Sequence, residues 1–257
     1  MSEPVLTTRN LSRRFGAVTA ADDINVTVSA GEIVGVIGAN GAGKTTFSNM
    51  VTGYLPPSDG EIEFLGEPLG GDGPRKLMRR GLSRSFQVPQ LFSELTVLDN
   101  VVMTIAAAEN RFLNPMRPVY DHRRVERADA MLRQMDVAEY RDELVTAMPQ
   151  GERKLLDIGM ALLANPRMVL LDEPTSGVSI EEKYKVMDTV MNVVREHRLT
   201  VLFVEHDMEV IRRYVTRLLA FAAGRVIADG PADDVLADDM VQELITGKAR
   251  TAPAEEA

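Results

Sequence analysis

Two short stretches of this sequence combine residue types whose spacing suits phosphate chemistry. The first is Gly38-Ala39-Asn40-Gly41-Ala42-Gly43-Lys44-Thr45-Thr46, which fits the pattern G-x-x-x-x-G-K-[ST]. Gly38, Gly41 and Gly43 let backbone N–H groups curl around a phosphate with no side chain in the way. Lys44 sets a cation at the β- and γ-phosphates, a helix starting there adds its positive dipole end, and the Thr45 hydroxyl can ligate Mg2+. The second stretch is Met168-Val169-Leu170-Leu171-Asp172-Glu173, an apolar run that delivers two adjacent carboxylates. At the C-terminal end of a parallel strand, Asp172 can reach Mg2+ directly or through water. Strand alternation turns the Glu173 carboxylate away from that of Asp172, where it can hold and polarise an attacking water as a general base. Together the two stretches describe a site for a polyphosphate, its metal ion and a nucleophilic water.

Such a loop works only between a strand and a helix, and the flanking residues supply both. Residues 32–37 form a continuous apolar run that suits a strand buried on both faces, and 44–53 have the character of a helix ended by Gly53. Upstream, 5–7 and 24–28 are expected as strands, the latter from its period-2 alternation. Further strands are expected at 61–65 and 82–86, followed by helical spacing at 97–109, 119–136 and 152–164. Strand and helix then alternate again, with strands at 168–171, 200–204 and 218–221 and a helix at 181–197. The expectation is an α/β protein with a helical insertion in its middle.

Composition narrows the function classes. At 257 residues with 45% hydrophobic content, the chain can bury one large core or a core with a smaller inserted lobe. A net charge of -9 gives no electrostatic reason to expect a nucleic-acid partner. The basic stretch 75–84 is read as a solvated helix face. With no cysteine there is neither a disulfide framework nor a thiolate metal site. The N-terminus lacks the pattern of a signal peptide, and no stretch approaches the roughly 18 apolar residues of a membrane span, so a membrane role would come through a partner. The terminal TAPAEEA has no periodic apolar face and is read as disordered. No internal repeat is found.

Further residues fall in sequence where ABC ATPases place theirs, and the chain resembles that family from Val5 to Gly247. The resemblance implies a RecA-like P-loop NTPase core with an antiparallel β-subdomain (1–87 and 159–247), an inserted helical subdomain (88–158) and a tail (248–257). It implies that Phe15, in Arg14-Phe15-Gly16, stacks on adenine, and that Gln87, in Ser85-Phe86-Gln87-Val88-Pro89-Gln90, touches Mg2+ and the attacking water. His206, in Phe203-Val204-Glu205-His206-Asp207, resembles the histidine that donates to the γ-phosphate. The chain departs from the family at the LSGGQ signature, where Met148-Pro149-Gln150-Gly151-Glu152 stands and only the second glycine is kept. The family's signature serine donates to the γ-phosphate on the opposite subunit, and Pro149 offers neither a hydroxyl nor an N–H. Ser176-Gly177-Val178-Ser179 replaces the usual S-A-L-D, so Ser179 stands for the aspartate of the D-loop.

Within the family, FGAVTAADDINVTV, SRSFQVPQLFSELTVLDNV and VEHDMEVI resemble the ATPase subunits of branched-chain amino-acid type importers, as does an extended segment at 106–122. That resemblance implies ATP and Mg2+ as cofactors, a second ATPase subunit in a heterodimer, transmembrane permease subunits and, indirectly, a periplasmic solute-binding protein. The chain would then sit peripherally on the cytoplasmic face of the inner membrane. Val88, Pro89, Leu91 and Phe92 form an apolar group that could line the groove for a permease helix or be buried in the lobe. Two other classes remain open: an ATP-binding regulatory subunit with a degenerate signature, and a soluble ABC ATPase acting on ribosomes or DNA. The latter usually carries two cassettes or a long coiled coil, and this chain has one cassette and no sustained heptads.

Overall fold

The structure is a computed structural model that describes residues 3–109 and 119–246. Its scaffold is a six-stranded sheet built from β3 (Ile33–Gly38), β6 (Leu82–Ser85), β7 (Met168–Asp172), β8 (Thr200–Val204), β9 (Arg217–Ala222) and β10 (Arg225–Pro231). The strands run in the order β10-β9-β3-β8-β7-β6, parallel throughout except for the β9–β10 hairpin. A second, antiparallel sheet has the order β2-β1-β4-β5, from β1 (Pro4–Phe15), β2 (Val18–Ser29), β4 (Asp59–Phe64) and β5 (Glu67–Pro68).

Side-chain parity decides the layers. Met168 and Leu170 of β7, and Leu202 and Val204 of β8, pack with β1, β2 and α1 (Lys44–Val51) in the core between the two sheets. Their neighbours Val169, Leu171, Val201 and Phe203 face the opposite core, which is closed by helices. The unbroken apolar runs Met168–Leu171 of β7 and Val201–Val204 of β8 are therefore what a strand covered on both faces requires. The helix α1 is held between the sheets by Phe47, Met50 and Val51, spaced for one face. Burying each of these side chains contributes about 1.5–3 kcal/mol. The start of α1, which carries Lys44, is thereby fixed against the C-terminal ends of the parallel strands.

Between β6 and β7 the chain leaves the sheet for α3 (Val97–Ala108), α4 (His122–Gln134) and α5 (Gln150–Leu162). A Thr96–Asp99 capping box starts α3, and Asp121 caps α4. The expected lobe boundary at residue 158 falls inside α5, one helix that packs on α3 and α4 as well as on β6, β7 and α6 (Ile180–Glu196). The remaining helices are α2 (Pro74–Arg80), α7 (Met208–Tyr214), α8 (Ala232–Ala237) and α9 (Asp239–Thr246).

The mixed α/β architecture with an antiparallel sheet and a helical insertion is the expected one, but several expectations need correction. β1 and β2 each span 12 residues, far longer than 5–7 and 24–28, because bulges break the alternation that would reveal them. The stretch 75–84 is not one solvated face. Only α2 is helical, Arg80 is tucked onto the Phe64 and Glu67 carbonyls and paired with Asp72, and the Arg84 side chain on β6 is nearly buried. Strand β10 and helices α7, α8 and α9 lie where no element was expected. Residues 110–118 of the extended segment, and the tail 248–257, lie outside the described residues.

Candidate functional site

The glycine-rich loop leaves β3 at Gly38 (φ 153) and enters α1 at Gly43 (φ 102), with Gly41 at φ 82 between them. A Cβ on Gly43 would lie 2.7 Å from the Ala20 carbonyl oxygen, and one on Gly38 would strike the Phe221 carbonyl, so neighbouring strands demand glycine at both points. Gly43 is the N-cap of α1, with no side-chain cap bond and no acid in the first turn. The first N–H groups and the dipole end of α1 therefore point at the loop with nothing of opposite charge from the helix itself. The Lys44 ammonium, largely buried, donates to the Gly38 and Ala39 carbonyls at 2.6 and 3.1 Å, and burial pulls its pKa down against the pull of Glu173 and Asp172. Two of its three donors brace the loop, and the third is left for an anion. These features fit a phosphate chain, and the depression above them measures about 260 Å³.

Glu173 and His206 form the opposite wall of that depression. Three neighbouring strand ends converge there. β7 ends at Asp172, and Glu173 adopts φ 47, so the pleat no longer governs where its carboxylate points. That replaces the expected alternation with a left-handed residue, a strained conformation for a non-glycine. Its Oε1 lies 2.7 Å from His206 Nε2, and its Oε2 accepts from Gln87 Nε2 at 2.6 Å. Gln87 follows β6 and His206 follows β8, so the sheet order β8-β7-β6 brings the three together. Gln87 keeps its amide oxygen for another partner. With Thr45 Oγ1 and the Asp172 carboxylate this makes a sparse set of hard oxygen donors, which suits Mg2+ that also binds phosphates. Among the described residues no cluster of three or more His, Cys, Asp or Glu is arranged to hold a metal by itself.

Residues that sequence reasoning missed hold this arrangement. The buried Lys154 ammonium of α5 donates to the Phe86 and Gln87 carbonyls at 2.8 and 2.5 Å. One turn on, Asp157 accepts from the Phe86 and Gln90 amides at 3.3 and 3.1 Å. Burial lowers the pKa of Lys154 and raises that of Asp157. Lys154 lies on the apolar stripe Gly151, Leu155, Ile158 of α5, and a cation on such a stripe was the available signal. Glu205 is also buried. Its carboxylate accepts from Thr175 N and Oγ1 on one side and from His206 N at 2.9 Å on the other, tying the segment after Glu173 to the one that carries the histidine. Asp172 pairs with Arg84 at 2.5 Å.

Compared with known proteins, residues 21–176 match the ABC transporter family. The chain belongs to the ABC transporter ATPases. It is similar to BraF of Pseudomonas aeruginosa, a high-affinity branched-chain amino acid transport ATP-binding protein, with 30% identity over 97% of this chain and 100% of that one. It is also similar to the methionine import ATP-binding protein MetN of Mesorhizobium japonicum, with 33% identity over 99% of this chain and 68% of that protein. Among solved structures, an ATP-binding cassette of an ABC transporter in its ADP conformation superposes with a TM-score of 0.84 at 29% identity, covering 95% of this chain and 99% of that one. As an ABC ATPase the chain binds ATP and hydrolyses it in a transport-coupled reaction.

Asn40, Ala42 and Thr46 also line the depression, whereas the remaining expected site residues of this ABC ATPase do not. Phe15 is half exposed at the end of β1 under the Arg13 guanidinium, on the same hairpin as Ala20, which does line the depression. Pro149 is the N-cap of α5 and gives it no side-chain bond. Gln150 and Gly151 begin the helix, with Gln150 packed against Gly177 (φ 76) and Gly151 against Val186 and Val178. Glu152 sits in the first turn with one carboxylate oxygen buried and, among the described residues, without a hydrogen-bond partner. None of residues 149–152 lines the depression formed by this chain's own loop. Ser179 caps α6 and donates to Glu182. Of the apolar group after Gln87, Val88 and Phe92 are exposed and Leu91 packs on the core. A separate groove of about 730 Å³ between the sheet and the helical insertion is walled instead by Tyr54, Met78, Arg84, Phe86, Thr104 and Met160. No helix among the described residues is long and apolar enough to cross a membrane.

Proposed function

We propose that this chain is the ATPase subunit of an importer, and that it powers uptake of branched-chain amino acids or related amides or organic acids. Mg2+ would be held by Thr45, Asp172 and Gln87, and Lys44 with the loop amides would hold the phosphates. The observation that carries the reading is the Glu173 carboxylate, gripped by Gln87 and His206 across from Lys44. That placement suits a general base for the water that attacks the γ-phosphate. The names of the similar proteins support import of amino acids and leave methionine as a competing solute. In this reading a second ATPase subunit, different from this one, closes its signature over Lys44. Permease subunits dock a helix in the groove beside Phe86, a solute-binding protein delivers the solute, and the assembly sits on the cytoplasmic face of the inner membrane. The test is Glu173→Gln in the reconstituted transporter. Turnover should fall about 100-fold or more with nucleotide binding retained, and near-normal turnover would overturn the base assignment.

Pro149 favours a second feature, asymmetry of the two ATP sites. This chain's own loop, Asp172, Glu173 and His206 form a complete set, whereas its uncapped α5 N-terminus would close the partner's ATP with fewer donors.

A further inference from the structure

Arg84 lies on β6, in register with Leu170 of β7, the strand that ends in Asp172. Its side chain is 7% exposed and that of Asp172 14%, so the pair is nearly buried. One guanidinium nitrogen, Nη2, donates to Asp172 Oδ2 at 2.5 Å. The other, Nη1, donates to Asn49 Oδ1 at 2.7 Å and Thr52 Oγ1 at 3.3 Å, at the far end of α1. The ring centroids of Phe86 and Tyr54 stand 5.1 and 5.6 Å from its carbon. The cation is therefore fixed from three directions before it meets the carboxylate.

Stability alone is a weak reason for this construction, because a buried ion pair is often matched by apolar side chains of the same volume. The pair does something more specific: it takes one oxygen of Asp172 and leaves Oδ1. Mg2+ tolerates little deviation from octahedral geometry at about 2.0–2.1 Å, so a ligand carboxylate must be turned correctly. Groups that fix a ligand from behind commonly change metal affinity about 10–100-fold. Asp172 also acts electrostatically on both Lys44 and Lys154. Without Arg84, the carboxylate has other cations to turn to.

We propose that Arg84 is a positioning residue that holds Oδ2 of Asp172 so that Oδ1 faces the Mg2+ of bound nucleotide. The proposal rests on reading Asp172 as a metal ligand. The test is binding of a fluorescent ATP analogue to the purified chain, without metal and across a Mg2+ titration. For Arg84→Met the Mg2+ concentration at half-maximal effect should rise about tenfold, with metal-free affinity changed less than about threefold. Arg84→Lys, a point charge without the fork, should recover part of the shift, and Asn49→Ala should shift it in the same direction by less. These milder variants carry the test if Arg84→Met folds poorly. Asp172→Asn separates the two levels. If it loses Mg2+ dependence while the Arg84 variants keep the wild-type value, or bind Mg2+ more tightly, the positioning role is overturned. If Asp172→Asn itself leaves Mg2+ dependence intact, the metal-ligand reading fails and takes the proposal with it.

Discussion

Lys154 offers the sharpest test of how the catalytic end is held. Replacing it with methionine keeps the length and the packing of the stem and removes the ammonium that binds the Phe86 and Gln87 carbonyls. A hydrogen bond from a charged donor contributes about 1.5–3 kcal/mol, but Lys154 is buried and part of that is spent on its desolvation. A net loss of about 2–3 kcal/mol in the positioning of Gln87 follows, or a factor of roughly 30–150 in the population of the correctly placed loop. ATP turnover of the assembled transporter should fall by about that factor. Hydrogen exchange at the Phe86 and Gln90 amides, which are bonded to Asp157, should accelerate in the same variant. Unchanged exchange at those amides together with turnover within about twofold of wild type would refute the reasoning.

Lys44 sets a pH dependence. Its ammonium form binds phosphate, so affinity is present below its pKa and lost as pH rises through it. Burial has lowered that pKa from the ordinary lysine value, so ATP affinity measured by titration should begin to fall at lower pH than an exposed lysine would give. Pro149→Ser would give α5 the N-cap oxygen it lacks, worth about 1 kcal/mol, and would restore a donor towards the partner's nucleotide. ATP-driven dimerisation, measured by sedimentation, should strengthen, and no change in either dimerisation or hydrolysis would argue against asymmetric sites.

The parts of the site that were legible in sequence are those whose requirements are local. Gly38 and Gly43 take positive φ in a loop read within a few residues, Lys44 follows it directly, and Asp172 and Glu173 follow an apolar run that forms a buried strand. What was illegible depends on pairing across the fold. Arg84 looks like one more cation in a basic stretch until β6 sets it beside Asp172, 88 residues away in sequence. Lys154 and Asp157 stand among the apolar residues of α5, and their partners are not apparent until the loop after β6 passes over them. The turn of Glu173 out of the pleat was missed because alternation describes a strand and says nothing of its last step. The long strands β1 and β2 were hidden by bulges, which shift the period that sequence reading relies on.

The convergence of Gln87, Glu173 and His206 has a consequence for how such a chain can change. Their segments leave β6, β7 and β8, adjacent in the sheet, so the distances among them are set by strand spacing, about 4.8 Å per step. The length of the chain between the strands does not enter. Insertions between β6 and β7, where α3, α4 and α5 already intervene, can lengthen without moving the carboxylate. The weak point is β6, because it is an edge strand, with β7 its one neighbour in the sheet among the described residues. The clamp of Lys154 and Asp157 falls immediately after it. Growth of the helical insertion is thus free in one respect and restricted in another: it can add residues anywhere except where α5 must return to grip residues 86–90.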